Sequence, residues 1–162
     1  VTKQEVYDFL KNKNTEFEIT EHKAVFNMEE LSEVEIPYPE YDAKNLFMRD
    51  DKKNNYYLIT VIGSKRADLK RFRKENGTRP LTFASESDLN EILGLKAGSI
   101  SPLGLLNDKD LIVEFYIDSD FFKGKSIIGV HPNDNTATVW LKTEDLINII
   151  KENGNKVHIV DF

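Results

Sequence analysis

Apolar and polar positions recur along this chain with two periods, helical and strand-like, and the changes between them mark its elements. Val6, Phe9 and Leu10 share one helical face behind Thr2-Lys3-Gln4-Glu5, a capping-box spacing that predicts a first helix. Glu16 to Thr20 alternates like a half-buried strand. Asn27, with Glu30 three residues on, predicts a helix start running through MEELSE. Pro37 and Pro39 make EIPYPEY an irregular loop. Lys44 to Arg49 and Tyr56 to Ile62 read as strands joined by the turn DDKKNN. Gly63 and Ser64 end the second and open a basic helix with Leu69 and Phe72 inward. Leu81 to Ala84 predicts a short strand, and Ser85 to Leu93 a helix stopped by Gly94. A turn-rich stretch, KAGSISPLGLLND, precedes a strand from Leu111 to Ile117. Ile127 to Leu141 predicts a hairpin about a Pro132–Asn135 turn. Thr143 is the expected cap of a last helix ending near Gly154, and Val157 to Val160 closes the chain.

Strands outnumber helices, several are hairpin-connected, and regular βαβ alternation is missing. The expected fold is therefore α+β: a mixed, largely antiparallel sheet that curls, with helices packed outside it, in one domain spanning 1–162. The 162 residues suffice for a real core, and 40% hydrophobic with 31% charged is an ordinary globular balance. No run approaches the roughly 18 apolar residues of a membrane span. VTKQEVYDFL lacks a basic-then-apolar signal pattern, so no membrane association is expected. Cysteine is absent, which excludes disulfide and thiol chemistry and makes the cytoplasm the simplest compartment.

A net charge of −6 argues against a protein that coats nucleic acid generally. The charge is uneven, however. Ser64 to Arg79 carries Lys65, Arg66, Lys70, Arg71, Arg73, Lys74 and Arg79 against Asp68 and Glu75, a local +5 that leaves −11 elsewhere. Such a segment is either a solvated helix face or a phosphate-binding surface.

Most catalytic signatures are missing. No GxxxxGK[ST] or GxGxxG loop occurs, and GSISPLG has the wrong spacing for a nucleophile elbow. His22, His131 and His158 are scattered, so neither a metal nor another cofactor is expected. Two residues stand out. His131 closes an apolar run just before Pro132, where an extended backbone can present it to a cleft, and Gly129 leaves room for a close approach by ligand or backbone. Lys44 begins an apolar strand and could carry one cation into a cavity. Against these stand plainer readings: a surface-turn histidine and an edge-strand lysine. His22 and Ser99 read first as structural and turn residues. These residues suggest a cleft with one Lys and one His, and they name no reaction.

The same stretches resemble a known family. EHKAVFNMEEL, DAKNLFMRD, YYLITVIGSKRADLKRF, LTFASESDLNEILGLKAGSISPLGLLND and IIGVHPNDNTATVWL, in this order over most of the chain, resemble the YbaK-like aminoacyl-tRNA deacylases, in particular their stand-alone prolyl-tRNA editing branch. Lys23 departs from the pattern, which carries Pro after the histidine. The resemblance implies an α+β domain with a barrel-like sheet surrounded by helices. It implies hydrolysis of the ester joining a wrong amino acid, alanine in the prolyl branch, to the tRNA 3′ end. The family lysine falls on Lys44 and its GxHP motif on Gly129, His131 and Pro132, making Lys44 and His131 the catalytic candidates. Val130, Asn45, His22, Phe47 and Ser99 join Gly129 and Pro132 as substrate-binding candidates, with Phe26, Met28 and Ile128 as further walls. On this reading Lys65, Arg66, Lys70 and Arg73 become candidates for tRNA phosphates. The partner is the aminoacylated tRNA end, with prolyl-tRNA synthetase a second candidate. A non-catalytic sensor of aminoacyl-tRNA or amino acid, or a deacylase for Cys-tRNA(Pro), are the alternatives.

Overall fold

A computed structural model describes residues 2–24 and 35–162. Among the described residues, eight strands form two sheets. The smaller has the order β1-β7-β6: Phe17–Glu21, Ala137–Lys142 and Ile127–Val130, all antiparallel. The larger has the order β4-β2-β3-β5-β8: Leu81–Phe83, Ala43–Asp50, Tyr56–Ile62, Val113–Asp118 and Val157–Val160. There β4-β2-β3 is antiparallel, and β3-β5-β8 is parallel. The sheet is thus mixed, as expected. One parallel bridge, Asp42 to Gly129, joins the two sheets, and no closed barrel forms among the described residues.

The helices follow their local chemistry. Helix α1 (Lys3–Asn12) starts at the full Thr2–Glu5 capping box and buries Val6, Tyr7 and Leu10. Helix α2 (Leu69–Asn76) is capped by Asp68, which accepts from Arg71 N, and stops at Gly77 in the left-handed region. The basic helix is therefore shorter than its charge pattern suggested, and Lys65 and Arg66 precede it. Helix α3 (Glu86–Asp88) has a Ser85 capping box and passes into a π-helical turn, Leu89–Leu93, stopped by Gly94. Helix α4 (Thr143–Asn153) is preceded by Lys142 at its N-cap position. Thr143 is thus its first residue rather than its cap, and its hydroxyl donates to Phe121 O at 2.7 Å. The helix expected from Asn27 lies outside the described residues, as do Phe26 and Met28.

Two apolar clusters lie on opposite faces of the larger sheet. The main one packs Phe47, Leu58, Phe115 and Ile117 against Ile128, Val130, Val139 and Leu141 of the smaller sheet, together with α1 and α4. The second packs Met48, Ile59, Val61 and Tyr116 under Phe72 of α2. Period-two alternation then assigns every β2 side chain. Asn45 and Phe47 face the main core, while Lys44, Leu46 and Met48 face the α2 side.

Candidate active site

The Asp42–Gly129 bridge is the structural key to the site. In a parallel bridge the two side-chain directions agree at the crossing; Lys44 lies two residues past it on β2, and His131 two residues past it, just beyond the end of β6. Lys44 is about 6.6 Å along β2 from that point. β6 ends at Val130, while β2 continues to Asp50 and takes β4 as its neighbour from Met48 onward.

Lys44 is half-buried, and its ammonium donates to the Lys65 carbonyl in the turn after β3. Burial, with help from the Arg66 charge, lowers its pKa from the ordinary 10.5. No carboxylate pairs with Lys44 or Arg66 among the described residues.

His131 Nδ1 lies 2.9 Å from Ala137 O. A carbonyl only accepts, so Nδ1 carries the proton and Nε2 of the neutral ring is left as an acceptor. Burial lowers the His131 pKa, the Ala137 carbonyl opposes that, and His22 lowers it further. The His22 ring stands 6.3 Å away, edge-on at 63°. His22 Nδ1 donates to Lys23 O at 2.8 Å, which leaves Nε2 to accept from the Thr138 hydroxyl at 3.0 Å. His22 and His131 therefore belong to one cluster on the outer face of the smaller sheet, and the neutral ring of His131 is the favoured form.

Three other expectations change. The space above Gly129 is taken by the chain itself: a Cβ there would lie 2.6 Å from Trp140 Cε3 and 2.8 Å from Cη2. Gly129 pairs directly with Trp140, so the glycine makes room for the indole. Val130, Ile128 and Phe47 point into the main core, on the face opposite His131, and are not walls of an outer-face cleft. Asn45 is engaged inward, donating to Ile100 O at 3.3 Å and accepting from the Thr60 hydroxyl at 2.6 Å. This ties β2 to the Ser99–Ser101 loop, where Ser99 is half-buried and its amide donates to Lys96 O. Pro132 is buried and shapes the bend.

The basic segment divides. Lys65 turns inward, with its ammonium 2.9 Å from Asp118, 2.7 Å from Asp120 and 3.2 Å from the Phe162 carbonyl. Asp118 is 0% exposed, so this ammonium neutralises a buried carboxylate and is not free for a phosphate. Lys70 and Arg66 are exposed, and Arg73 is half-buried with Nε unpartnered.

Two residues escaped the sequence reading. Asn133, at φ 61°, has both carboxamide atoms buried without a partner, two positions past His131. Asp42 is 6% exposed, and burial pushes its carboxyl up to about 7, against the pull of the Ala43 amide. A Pro-Asn-Asp turn and an acid beside a strand are too common for either to stand out in sequence. Among the described residues, no group of three His, Asp or Glu is arranged to hold a metal, and no helix is long and apolar enough to cross a membrane.

The mixed α+β fold, with two sheets joined at the Asp42–Gly129 bridge, sets the class that the comparisons then identify. The family model of the aminoacyl-tRNA editing domain matches residues 22–149, and the chain belongs to that family of deacylases. In particular, it is similar to the prolyl-tRNA editing protein ProX of Acetoanaerobium sticklandii, with 39% identity over 160 residues covering 99% of this chain and 97% of that one. It is also 35% identical to the mouse prolyl-tRNA synthetase associated domain-containing protein 1, over 90% of this chain and 87% of that one. A crystal structure described as a candidate trans-editing enzyme for prolyl tRNA synthetase has the same fold: TM-score 0.71, 19% identity, 98% of this chain and 94% of that one.

Proposed function

We propose that this chain, acting as one domain, hydrolyses the aminoacyl ester of mischarged tRNA(Pro), Ala-tRNA(Pro) before Cys-tRNA(Pro), without a metal. The observation that carries this reading is the Asp42–Gly129 crossing, which sets Lys44 and His131 each two residues beyond one point where the two sheets meet. Similarity to ProX supports the choice of tRNA.

The ester is already activated, so water can attack it without a covalent enzyme intermediate. His131 Nε2 is the free acceptor of a ring held by the Ala137 carbonyl, and it holds and orients that water. The depressed pKa keeps the acceptor form populated at neutral pH. Lys44 brings positive charge to the nucleotide end of the ester, its ammonium steadied by the Lys65 carbonyl. Asn133 offers an unspent donor and acceptor for the polar end of the aminoacyl group.

Specificity follows from size. A pocket built for proline rejects alanine poorly, because a missing methylene is worth only about 1–3 kcal/mol. A second, smaller pocket reverses the sieve by excluding the larger ring. The decisive assay follows loss of the ester from Ala-, Cys- and Pro-tRNA(Pro) with purified protein. The expected order is Ala first, with Pro slower by roughly 100-fold or more. Alanyl ester loss no faster than in buffer rejects the proposal, and saturable binding without turnover would instead mark a sensor.

A further inference from the structure

The two flanks of α2 differ. Asp68, Arg71 and Glu75 line a small pocket with Val160 and Phe162, so this flank faces the β8 edge of the larger sheet. Its arginine is already satisfied, with Arg71 Nε 2.8 Å from Glu75. Phe72 faces the sheet and packs over Met48 and Tyr116. At 3.6 residues per turn, Arg73 then falls on the opposite flank, toward β2 and β4, and Lys70 and Lys74 point outward beside it. None of these three cations has an acidic partner among the described residues, and Arg73 Nε is buried with no acceptor.

Strand β4 continues that flank. Phe83 pairs with Met48 in antiparallel register, so the two side chains share a face, the one that α2 covers. Leu81 lies on the same face and packs against the cluster under Phe72. Phe83 stays outside it at 62% exposure, more than any other large apolar side chain among the described residues. An apolar protein surface would cover the ring and leave the cations unpaired. Single-stranded nucleic acid satisfies both, because a base stacks on the ring while phosphates take the cations. Strand β2 connects this patch to the candidate site. Met48 lies four residues beyond Lys44, about 13 Å along the strand, which is about four nucleotides at a rise of about 3.4 Å.

We propose that Phe83 and the side of α2 carrying Lys70, Arg73 and Lys74 form a track for the unpaired 3′ strand of the substrate RNA. Phe83 stacks one base, and the cations follow the phosphates. This rests on the deacylase reading and deepens it by placing the strand that leads to the ester. The track gives a chain of net charge −6 a local hold on a polyanion. Lys65 takes no part, since Asp118 and Asp120 hold its ammonium.

The test compares Ala-tRNA(Pro) with 3′-O-alanyl AMP, an ester too short to reach the track. The variants are Phe83→Ala, Phe83→Trp and the double change Lys70→Ala with Lys74→Ala. Lys13→Ala is the control: Lys13 is paired with Glu152 at 3.0 Å and follows α1, which packs on the other face of the larger sheet. Phe83→Ala should lower kcat/KM for Ala-tRNA(Pro) about tenfold through the loss of one stacked base, and Phe83→Trp should retain it. The double lysine variant should flatten the salt dependence of log kcat/KM by about 1.4, at about 0.7 per phosphate contact. Both losses should be confined to the long substrate. Equal losses on both esters, no loss in Phe83→Ala, or as large a loss in Lys13→Ala overturn the track.

If the wild type hydrolyses neither ester, the deacylase reading fails. Fluorescence anisotropy with an uncharged hairpin RNA bearing an unpaired 3′ tail then decides the track alone. Binding weakened about tenfold in Phe83→Ala supports it, and unchanged binding overturns it. A wild-type dimer in sedimentation that Phe83→Ala abolishes, with RNA affinity unchanged, assigns the ring to a second copy of this chain and overturns it as well.

Discussion

Replacing Gly129 by alanine separates two reasons for having a glycine beside the site histidine. If the missing side chain leaves room for substrate, Gly129→Ala should lose activity and keep its stability. The structure indicates the other outcome. The added methyl would meet three atoms of the Trp140 ring, two of them at 2.6 and 2.8 Å, well inside van der Waals contact. The ring cannot swing away freely. It is 2% exposed, its Nε1–H donates to the Thr20 hydroxyl at 3.0 Å, and Tyr38 packs edge-on with centroids 5.3 Å apart. Over-packing of this kind costs about 1–3 kcal/mol. For a chain of this size that lowers Tm by roughly 2–4 °C per kcal/mol, so a fall of about 4–8 °C is expected for a cost near 2 kcal/mol. Trp140→Leu should destabilise by itself, by about 2–5 kcal/mol, because it opens a cavity. The double variant should cost less than the sum of the two, by about 1 kcal/mol or more, since the new methyl fills part of that cavity. Urea unfolding of the four proteins measures the cycle. Strict additivity, or a Gly129→Ala protein as stable as the wild type, would refute the packing account.

Other substitutions report on single groups. His131→Gln should slow deacylation by about 10²–10⁴-fold. The wild-type rate should rise with pH through the lowered His131 pKa as Nε2 loses its proton, and the variant's profile should lack that rise; a persisting rise excludes His131 as the titrating group. Lys65→Met should act on stability, costing about 3 kcal/mol by stranding the buried Asp118 carboxylate. Lys70→Met should cost almost nothing in the same thermal melt, and equal Tm values for the two variants contradict the inward role of Lys65. Asp42→Asn tests the buried acid. A folded-state pKa near 7, above the ordinary 3.8, means that ionisation penalises the native state. The penalty develops as pH rises from about 4 and is complete above about 7, where it reaches about 4 kcal/mol. Wild-type stability should therefore fall between pH 5 and 8 relative to Asp42→Asn, and parallel urea midpoints across that range contradict this.

Local chemistry was legible in the chain wherever neighbours in sequence decide the conformation. The Thr2–Glu5 capping box, the Gly94 stop and the alternation through Tyr56–Ile62 can be read without a fold, because each depends on hydrogen bonds or side-chain directions within a few residues. The resemblance also marked Lys44 and His131 as a pair before any coordinates. Longer-range burial was not legible. Phe47 and Val130 sit beside site motifs in sequence yet face the core, because a strand sends neighbours to opposite sides. Lys65 and Arg66 are adjacent, yet one enters an internal ion cluster while the other stays exposed.

The sequence by itself determined most of the described elements, the mixed α+β class and the family, since these rest on periodicity, caps and ordered motifs. Only the tertiary structure decided that the two sheets cross at Asp42 and Gly129, two residues before the candidate lysine of one and the candidate histidine that follows the other. It alone decided that Trp140 fills the room over the glycine and that the Lys65 charge is consumed inside. The physical reason is that hydrogen-bond patterns within a segment are local. Which strand edge meets which, and which charge finds a buried partner, depends on residues some 50 to 90 positions apart that touch only when the core closes.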